Sequence, residues 1–359
     1  DIRRSGVTAI PELLRMVPGM QVARLNTNTW AVSTRGSNSK FANKLQVLID
    51  GRTTYSSLFS GVFWDEIDLV PEDIDRIEVI RGSGGTLWGA NAVNGVINIM
   101  TKNSKETLGG LVSAGVGDEE LGFGTFRYGE KVSSNFTFNV FSKYFNRDDS
   151  KAVLGDSQAD SWEASHSGFR MDWDASETSS LMVQGKYYTG RDWEHKKNTA
   201  LSVTTAENVD ELNKIMGGHF LVNWKKILSP DSDLSLQFYY NRQQRESLFT
   251  ADPIVDTYDL EFQHRFPFKS NHEIIWGWGQ RYISDSFNDS FITSFAPDKR
   301  FSYLLSAFIQ DEIELIPKKL RLTLGTKLEV NNYTGFEYQP NIRASYTPDS
   351  MQTFWGAIS

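Results

Sequence analysis

The sequence predicts a mixed α/β domain over residues 1–106 followed by an antiparallel transmembrane β-barrel over 107–359, incomplete in this chain. Three observations predict it. Up to Glu106 short helical and strand-like runs alternate with Gly-, Pro- and Asn-rich turns, whereas from Thr107 onward there are thirteen amphipathic strand candidates and no convincing amphipathic helix. The connections between those strands alternate between tight and long. The strands also place charged side chains opposite apolar ones, which gives one face too polar for the dry core of a soluble sandwich.

In the first region, Ser5 to Val17 reads as a helix with Thr8 as its N-cap, Pro11 in the first turn and Glu12 near the positive end of the dipole. Leu13, Leu14 and Val17 share its apolar face, and Pro18-Gly19 ends it. Strand-like runs follow at Trp30 to Arg35, at Leu45 to Ile49 closed by Asp50-Gly51, and at Arg76 to Ile80 closed by Arg81-Gly82. A last run, Gly95 to Met100, follows the turn-rich 82–94.

In the second region alternation is the main signal. Leu320, Leu322, Leu324 and Leu328 oppose Arg321, Thr323, Lys327 and Glu329; Leu234, Leu236, Phe238 and Tyr240 oppose Ser235, Gln237 and Tyr239; Phe169, Met171 and Trp173 oppose Arg170, Asp172 and Asp174. Tight turns are expected near 129–134, 174–179, 229–232, 267–271, 316–319 and 348–351, and longer loops near 146–160, 191–212, 246–255 and 284–299, with a shorter one near 333–336. Outer-membrane barrels have this asymmetry, with short periplasmic turns and long extracellular loops. Tyr144, Tyr188, Trp193, Trp224, Trp276 and Trp278 lie near strand ends, where interfacial girdles form. The alternative on pattern alone is a large soluble antiparallel β-protein. Bacterial single-chain barrels close with even strand numbers, and the last run, 352–359, stops mid-pattern, so a C-terminally truncated fragment is expected.

Composition narrows the function classes. A mean hydropathy of -0.40 with no run of 18 apolar residues excludes helical spans but leaves strands open. With no cysteine, thiolate metal sites and cysteine nucleophiles are impossible. The net charge of -8 sits in the second region, where 34 acids face 25 bases, against 11 and 12 in residues 1–106. No cluster of Lys and Arg suits phosphate, so nucleic acid is not an expected partner. The five histidines, at 166, 195, 219, 264 and 272, lack metal-ligand spacing, and His195, beside Asp192 and Glu194, reads as part of a solvated loop. No metal site, cofactor or catalytic constellation is expected, so the chain does not read as an enzyme.

The most specific stretch is Ile77-Glu78-Val79-Ile80-Arg81-Gly82-Ser83-Gly84-Gly85, followed by Trp88-Gly89-Ala90-Asn91-Ala92-Val93-Asn94-Gly95-Val96-Ile97-Asn98-Ile99. With Val47 to Gly51, Arg35-Gly36 and Ile10 to Leu14 before Pro18-Gly19, it resembles the plug domain of TonB-dependent outer-membrane receptors. The β-rich remainder, including Gln339 to Arg343 and Thr353 to Ala357, is similar to the family's barrel, less specifically. The resemblance implies an N-terminal plug inside a barrel of about 22 strands, of which this chain supplies about 13. It also implies an outer-membrane location, lipid around the wall, and TonB as the energy-transducing partner. Ser83 stands where the family usually has proline, and the TonB-box segment is not found in this chain. Two nucleotide motifs fail: after Gly84 and Gly89, Ala90 and Asn91 replace the Lys and Ser/Thr of a phosphate loop, and Leu87 replaces the glycine a dinucleotide pattern needs.

Arg35, Gly36, Asp50, Gly51, Glu78, Arg81, Gly82, Gly89 and Gly95 read first as structural: the glycines permit positive φ and close approach, and the arginines are placed to pair with Glu78 or wall acids. For ligand contact the sequence points to Thr53 to Trp64, which offers Tyr55, Phe59, Phe63 and Trp64 with Ser56, Ser57 and Ser60 and contains no acid or base. In the resembled family the corresponding loop touches substrate; packing of Phe59, Phe63 and Trp64 on the wall is the alternative. Arg24 to Trp30, with Asn26 and Asn28, is the second candidate. The expected function is a receptor that binds a scarce nutrient chelate and imports it when TonB displaces the plug. By family a ferric siderophore comes first, with cobalamin, haem, other chelates and glycans behind. A surface adhesin without transport and a soluble glycan-processing β-protein are the alternatives.

Overall fold

A computed structural model describes residues 2–358 apart from 37, 57, 83–91, 152–157, 199–206, 248–251, 291–292 and 350, with backbone alone at 195–198 and 207–209. The expected helix over Ser5 to Val17 is much shorter. A 3-10 turn, Ile2–Ser5, is cut off by Gly6 at φ 69°, and one α turn, α1 (Ile10–Leu13), runs into a second 3-10 turn, Leu14–Met16. Ala9, not Thr8, occupies the N-cap, and no side chain caps the turn. The Thr8 hydroxyl instead accepts from Arg147 Nη2 at 3.3 Å, so the contact with the wall replaces the cap.

Eight short strands follow. β1 (Met20–Arg24), absent from the sequence reading, pairs with β2 (Trp30–Thr34) as a hairpin. β3 (Leu45–Ile49) turns through Asp50-Gly51 into β4 (Arg52–Thr53), with φ of 51° and 81° at the two turn residues, as a two-residue primed hairpin needs. β5 (Tyr55–Ser56) and β6 (Gly61–Val62) form a second small hairpin. β7 (Ile74–Arg81) and β8 (Gly95–Thr101) complete a mixed sheet of order β4-β3-β8-β7, in which β3 and β8 are parallel. A Cβ on Gly95 would lie 2.5 Å from the Ile80 carbonyl oxygen, so only glycine fits beside β7 there.

Thirteen strands then pair consecutively and antiparallel in one open sheet. They are β9 (Gly109–Gly115), β10 (Glu120–Ser133), β11 (Phe136–Arg147), β12 (Trp162–Ser176), β13 (Ser179–Asn198), β14 (Glu207–Ser229) and β15 (Ser232–Glu246). The sheet continues through β16 (Asp252–Phe268), β17 (His272–Asn288), β18 (Lys299–Ile316), β19 (Leu320–Asn331), β20 (Gly335–Asp349) and β21 (Gln352–Ile358). The tight turns fall where alternation stops. The expected loop 191–212 is mostly strand: the β13–β14 ladder runs from Ser179↔Lys226 to Asn198↔Glu207, and His195 pairs with Asp210 within it. Polar residues on both faces hide such an extension, because a ladder standing clear of lipid keeps its backbone hydrogen bonds without alternating. β15 and β16 likewise shorten the loop expected at 246–255.

The wall is inverted relative to a soluble sandwich. Thr137, Asn139, Lys143, Asp172, Gln184 and Glu329 are buried on its inner face, while Phe126, Val140, Met171, Trp173, Leu324 and Leu328 are exposed on the outer one. An apolar outer face stacked on a polar lumen is stable only if hydrocarbon, not water, lies outside. Trp193, Trp224, Trp276 and Trp278 are on the exposed side. Tyr188 is not: it is buried and stacks on His166 at 5.8 Å, since β13 turns its odd neighbour Tyr187 outward. The hydrophobic core lies inside the sheet's curve, where Ile10, Leu14, Trp30, Val47, Trp64, Ile97 and Ile99 pack with Phe145, Trp162 and Ala164 of the wall.

Candidate functional site

The hairpins β1–β2 and β5–β6 and the segment 38–44 meet at one end of the N-terminal region. Gly61 allows this: a Cβ there would come within 2.7 Å of Phe41 Cβ and 2.8 Å of its Cα. The close approach stacks Phe41 on Phe59 with ring centroids 4.8 Å apart, and Phe63 meets both edge-on at 5.2 and 5.9 Å. Phe59 is 51% exposed at the tip of its hairpin. Lys40 stands over Phe41 at 5.6 Å, and the Arg245 guanidinium of β15 lies 3.9 Å from the Phe63 centroid. The result is an aromatic platform flanked by two cations.

The residues singled out from sequence divide between platform and core. Tyr55 is half-buried and donates to the Asn43 carbonyl at 3.3 Å; burial pushes its phenol up from the ordinary range. Ser56 is buried and accepts from the Leu58 amide at 3.3 Å, and Ser57 lies outside the described residues. Trp64 and Trp30 are buried in the core, Trp30 Nε1 donating to Glu12 at 2.7 Å. Arg24 folds back on its own hairpin, donating to the Asn26 carbonyl at 3.0 Å and pairing with Glu119 of the wall. Asn26 Oδ1 accepts from the Asn28 amide at 3.1 Å. Asn28, Trp30, Phe63 and Trp64 also line a small cavity of about 40 Å³ with Asp65 and Arg245.

Of the turn residues, Asp50 does the most: its carboxylate accepts from the Thr101 amide and hydroxyl at 2.8 Å each and from Gln184 Nε2 of β13 at 3.0 Å. Gly51 approaches the wall so closely that a Cβ would sit 2.9 Å from the Gln237 amide. Arg35 adopts φ 51° beside Gly36, and Gly82 adopts φ 106° with its amide donating to the Asn94 carbonyl. The expected Arg81–Glu78 pair is not formed. Three residues apart on one strand they point to opposite faces, so Glu78 takes Arg76 Nε at 2.8 Å and Arg81 donates to the Pro18 carbonyl at 3.1 Å. Gly89, like Ser83, Gly84 and Gly85, lies outside the described residues.

The sequence reading stopped one residue short of the strongest contacts. Asp65, Glu66 and Asp68 follow Trp64 and are all buried. Arg245 holds the first two, with Nη2 2.7 Å from Asp65 Oδ2 and Nε 2.9 Å from Glu66 Oε1, and Gln243 donates to Glu66 Oε2. Lys143 Nζ sits 2.7 Å from Asp68 Oδ1, His166 Nε2 lies 3.8 Å from Asp68 Oδ2, and Lys186 donates to the carbonyls of Glu66 and Asp68. Burial alone would raise the Asp68 carboxyl, but the Lys143 and neighbouring charges hold it below the usual carboxylate range. The signal was present: three acids in four positions inside the otherwise apolar 61–70, and isolated cations on inward positions of β11, β13 and β15.

A larger cavity of about 720 Å³ lies between Gln46, Thr53 and Tyr55 on one side and the inner face of β15–β19 on the other. Among the described residues no group of three or more His, Asp or Glu is placed to hold a metal ion.

The family model described as TonB-dependent Receptor Plug Domain matches residues 1–96. A vitamin B12 transporter BtuB of Vibrio vulnificus is 33% identical over 35% of this chain, which covers 21% of that protein. The iron-regulated outer membrane virulence protein of Vibrio cholerae is 23% identical over 98% of this chain, which covers 54% of it. Among solved structures, the FrpB iron transporter of Neisseria meningitidis matches with a TM-score of 0.80 at 12% identity, over 99% of this chain and 63% of that one. The siderophore receptor PirA of Pseudomonas aeruginosa matches at 0.74 with 19% identity, over 99% and 59%. The chain therefore spans about three fifths of the solved structures it matches, and less of the curated relatives.

Proposed function

This chain belongs to the TonB-dependent receptors of the bacterial outer membrane, as plug and part of the barrel, and from that premise we propose that the whole protein is a receptor-transporter for a ferric siderophore. In this reading residues 1–106 are the plug and 107–359 the barrel wall, the ends of β13–β14 and residues 293–298 face outward, and TonB displaces the plug. One observation supports it: the platform of Phe41, Phe59 and Phe63 is exposed at Phe59 and flanked by Lys40 and Arg245, and in this reading an entering ligand meets it first. Stacking and apolar contact hold a bulky chelate without a fixed counter-charge. Iron is favoured over cobalamin because a relative matched along 98% of the chain is an iron-regulated protein, while the B12 transporters match 35–52% of it.

The test is equilibrium binding of ferric siderophores to the full-length receptor in detergent. Replacing Tyr55 and Phe59 together by alanine should weaken binding by about 1–3 kcal/mol with outer-membrane assembly intact. Unchanged affinity in the assembled protein removes this platform from the site, and a folding loss with no change in affinity assigns the rings to packing.

A further inference from the structure

Resting on the reading that the plug parts from the wall in transport, whatever the chelate, we propose that Asp192 of β13 and Asn213 of β14 form a proton-holding pair. A proton bound between them tightens the wall's hold on the base of the platform, and its loss loosens that hold.

The two residues are directly opposite in the β13–β14 ladder. Asn213 Nδ2 donates to Asp192 Oδ2 at 3.0 Å and to Glu194 Oε2 at 3.3 Å, so two carboxylate acceptors fix the amide this way round. That leaves the amide oxygen, Asn213 Oδ1, and the second carboxylate oxygen, Asp192 Oδ1, both buried without a hydrogen-bond partner. While the carboxyl is ionised both are acceptors, and neither can serve the other. A proton on Asp192 Oδ1 makes it a donor to the amide oxygen across the ladder, and acid and amide are then joined by two hydrogen bonds, one N–H to O and one O–H to O. One proton therefore satisfies two orphaned atoms, which in a buried site are costly to leave unpaired.

The surroundings favour the neutral form. Asp192 is 4% exposed and lines the 40 Å³ cavity together with Phe63, Asp65, Glu194, Lys40 and Arg245. Arg245 directs Nη2 and Nε at Asp65 and Glu66 of the plug, Glu211 of β14 accepts from the Ser247 hydroxyl, and β12 places the uncharged Trp162 opposite Asp192. A strand crosses hydrocarbon in about 9–11 residues, so β13, which begins at Ser179, leaves it before Asp192. Burial pushes this carboxyl up, Asp65 and Glu194 add to the push, and Asn213 and Arg245 oppose it, leaving it at about 6 against an ordinary 3.8. Parting plug from wall removes Asp65 and admits water, which returns the carboxyl toward 3.8. A group raised in the docked state contributes stability that is fully present below 3.8 and is lost as pH rises through about 6, so mild acid holds the plug and neutral pH eases it.

The experiment reads amide exchange of 61–70 in the full-length receptor in detergent at pH 5 and pH 7.5, corrected for the intrinsic rate. No ligand is present, so failure here leaves the siderophore reading untouched. With one proton linked over that window, exchange in the parent should be about tenfold slower at pH 5. Asp192→Asn places an amide N–H where the proton would sit, and should exchange at pH 7.5 no faster than the parent does at pH 5, with little further change on acidification. Glu66→Gln leaves the pair in place and should keep the parent's ratio. Parent exchange that does not slow at pH 5 overturns the proposal, as does an Asp192→Asn variant that exchanges faster than the parent at pH 7.5. A ratio kept in Asp192→Asn but lost in Glu66→Gln assigns the proton to Glu66 and overturns it too.

Discussion

Replacing Lys143 by methionine tests whether the acids of 65–68 hold the plug to the wall. The ammonium touches Asp68 Oδ1 at 2.7 Å and the carbonyls of Thr8 and Leu69 at 3.4 and 3.3 Å, in a site where Lys143 and Asp68 are 4% and 5% exposed. Methionine fills much of the same volume, so the change is chiefly electrostatic. Removing one partner of a buried pair typically costs about 3–5 kcal/mol, because the remaining charge is left without compensation. Here the figure belongs near the lower end, since Lys186, which acts on Asp68 and donates to the adjoining carbonyls, stays in place. Backbone amides of 61–70 in the full-length receptor should then exchange with solvent about a hundredfold faster, at 1.4 kcal/mol per decade. Adding Asp68→Asn removes the stranded charge, so the double variant should recover most of that protection. Unchanged exchange in the single variant, or a double variant that exchanges faster still, refutes the reasoning.

Three further outcomes are expected. Gly61→Ala forces Phe41 away from a new Cβ at 2.7 Å, breaks the ring stack and should lower stability by about 1–3 kcal/mol, read as a fall in the thermal midpoint. Acidification should leave the Asp68–Lys143 contact intact at pH 5: a depressed carboxyl contributes stability above its unfolded value of 3.8 and loses it only as pH falls through the lower folded value. Lys143, His166 and Lys186 are the charged or titratable groups acting on Asp68, and exchange of the Asp68 amide region corrected for its intrinsic pH dependence would show early release if this sign were wrong. These 359 residues contain no cysteine, and an impermeant thiol reagent on intact cells should label Asp298→Cys and spare Asp231→Cys, each read against the parent receptor; the reverse pattern inverts the orientation.

What the sequence made legible follows from how local each signal is. Strand count and tight turns depend on alternation and turn residues, which need no knowledge of partners, and β3 was readable to the residue because Asp50-Gly51 stops it. The helix was overread because the Thr8 pattern describes an isolated helix, whereas here Arg147, 139 positions away, takes that hydroxyl. β1 escaped notice because Met20-Gln21-Val22-Ala23-Arg24 has little strand preference of its own and is held by pairing with β2. The aromatic candidates were visible as composition, yet nothing local distinguishes exposed Phe59 from buried Trp64. Asp65, Glu66 and Asp68 gain their meaning only from cations 75 to 180 positions away.

The wall does not grip the plug uniformly, and the kind of contact changes with position around it. β11 and β12 contribute Phe145, Trp162 and Ala164 to the plug's own core, a contact whose loss exposes apolar surface at about 25 cal/mol per Å². β11 also supplies Lys143, and β13 to β15 offer Lys186, Gln243 and Arg245, whose attraction to the plug acids is largely offset by desolvation and is returned to water on separation. Beyond them, β16 to β19 face a cavity rather than a packed surface. Directional ion pairs fix the plug's position because each carboxylate has a defined donor, yet they resist hydration less than an apolar seam of equal area. The cost of parting plug from wall is therefore highest along β11–β12 and lowest along β16–β19, with Arg245, between Phe63 and the two acids, at the point where the platform meets the charged seam.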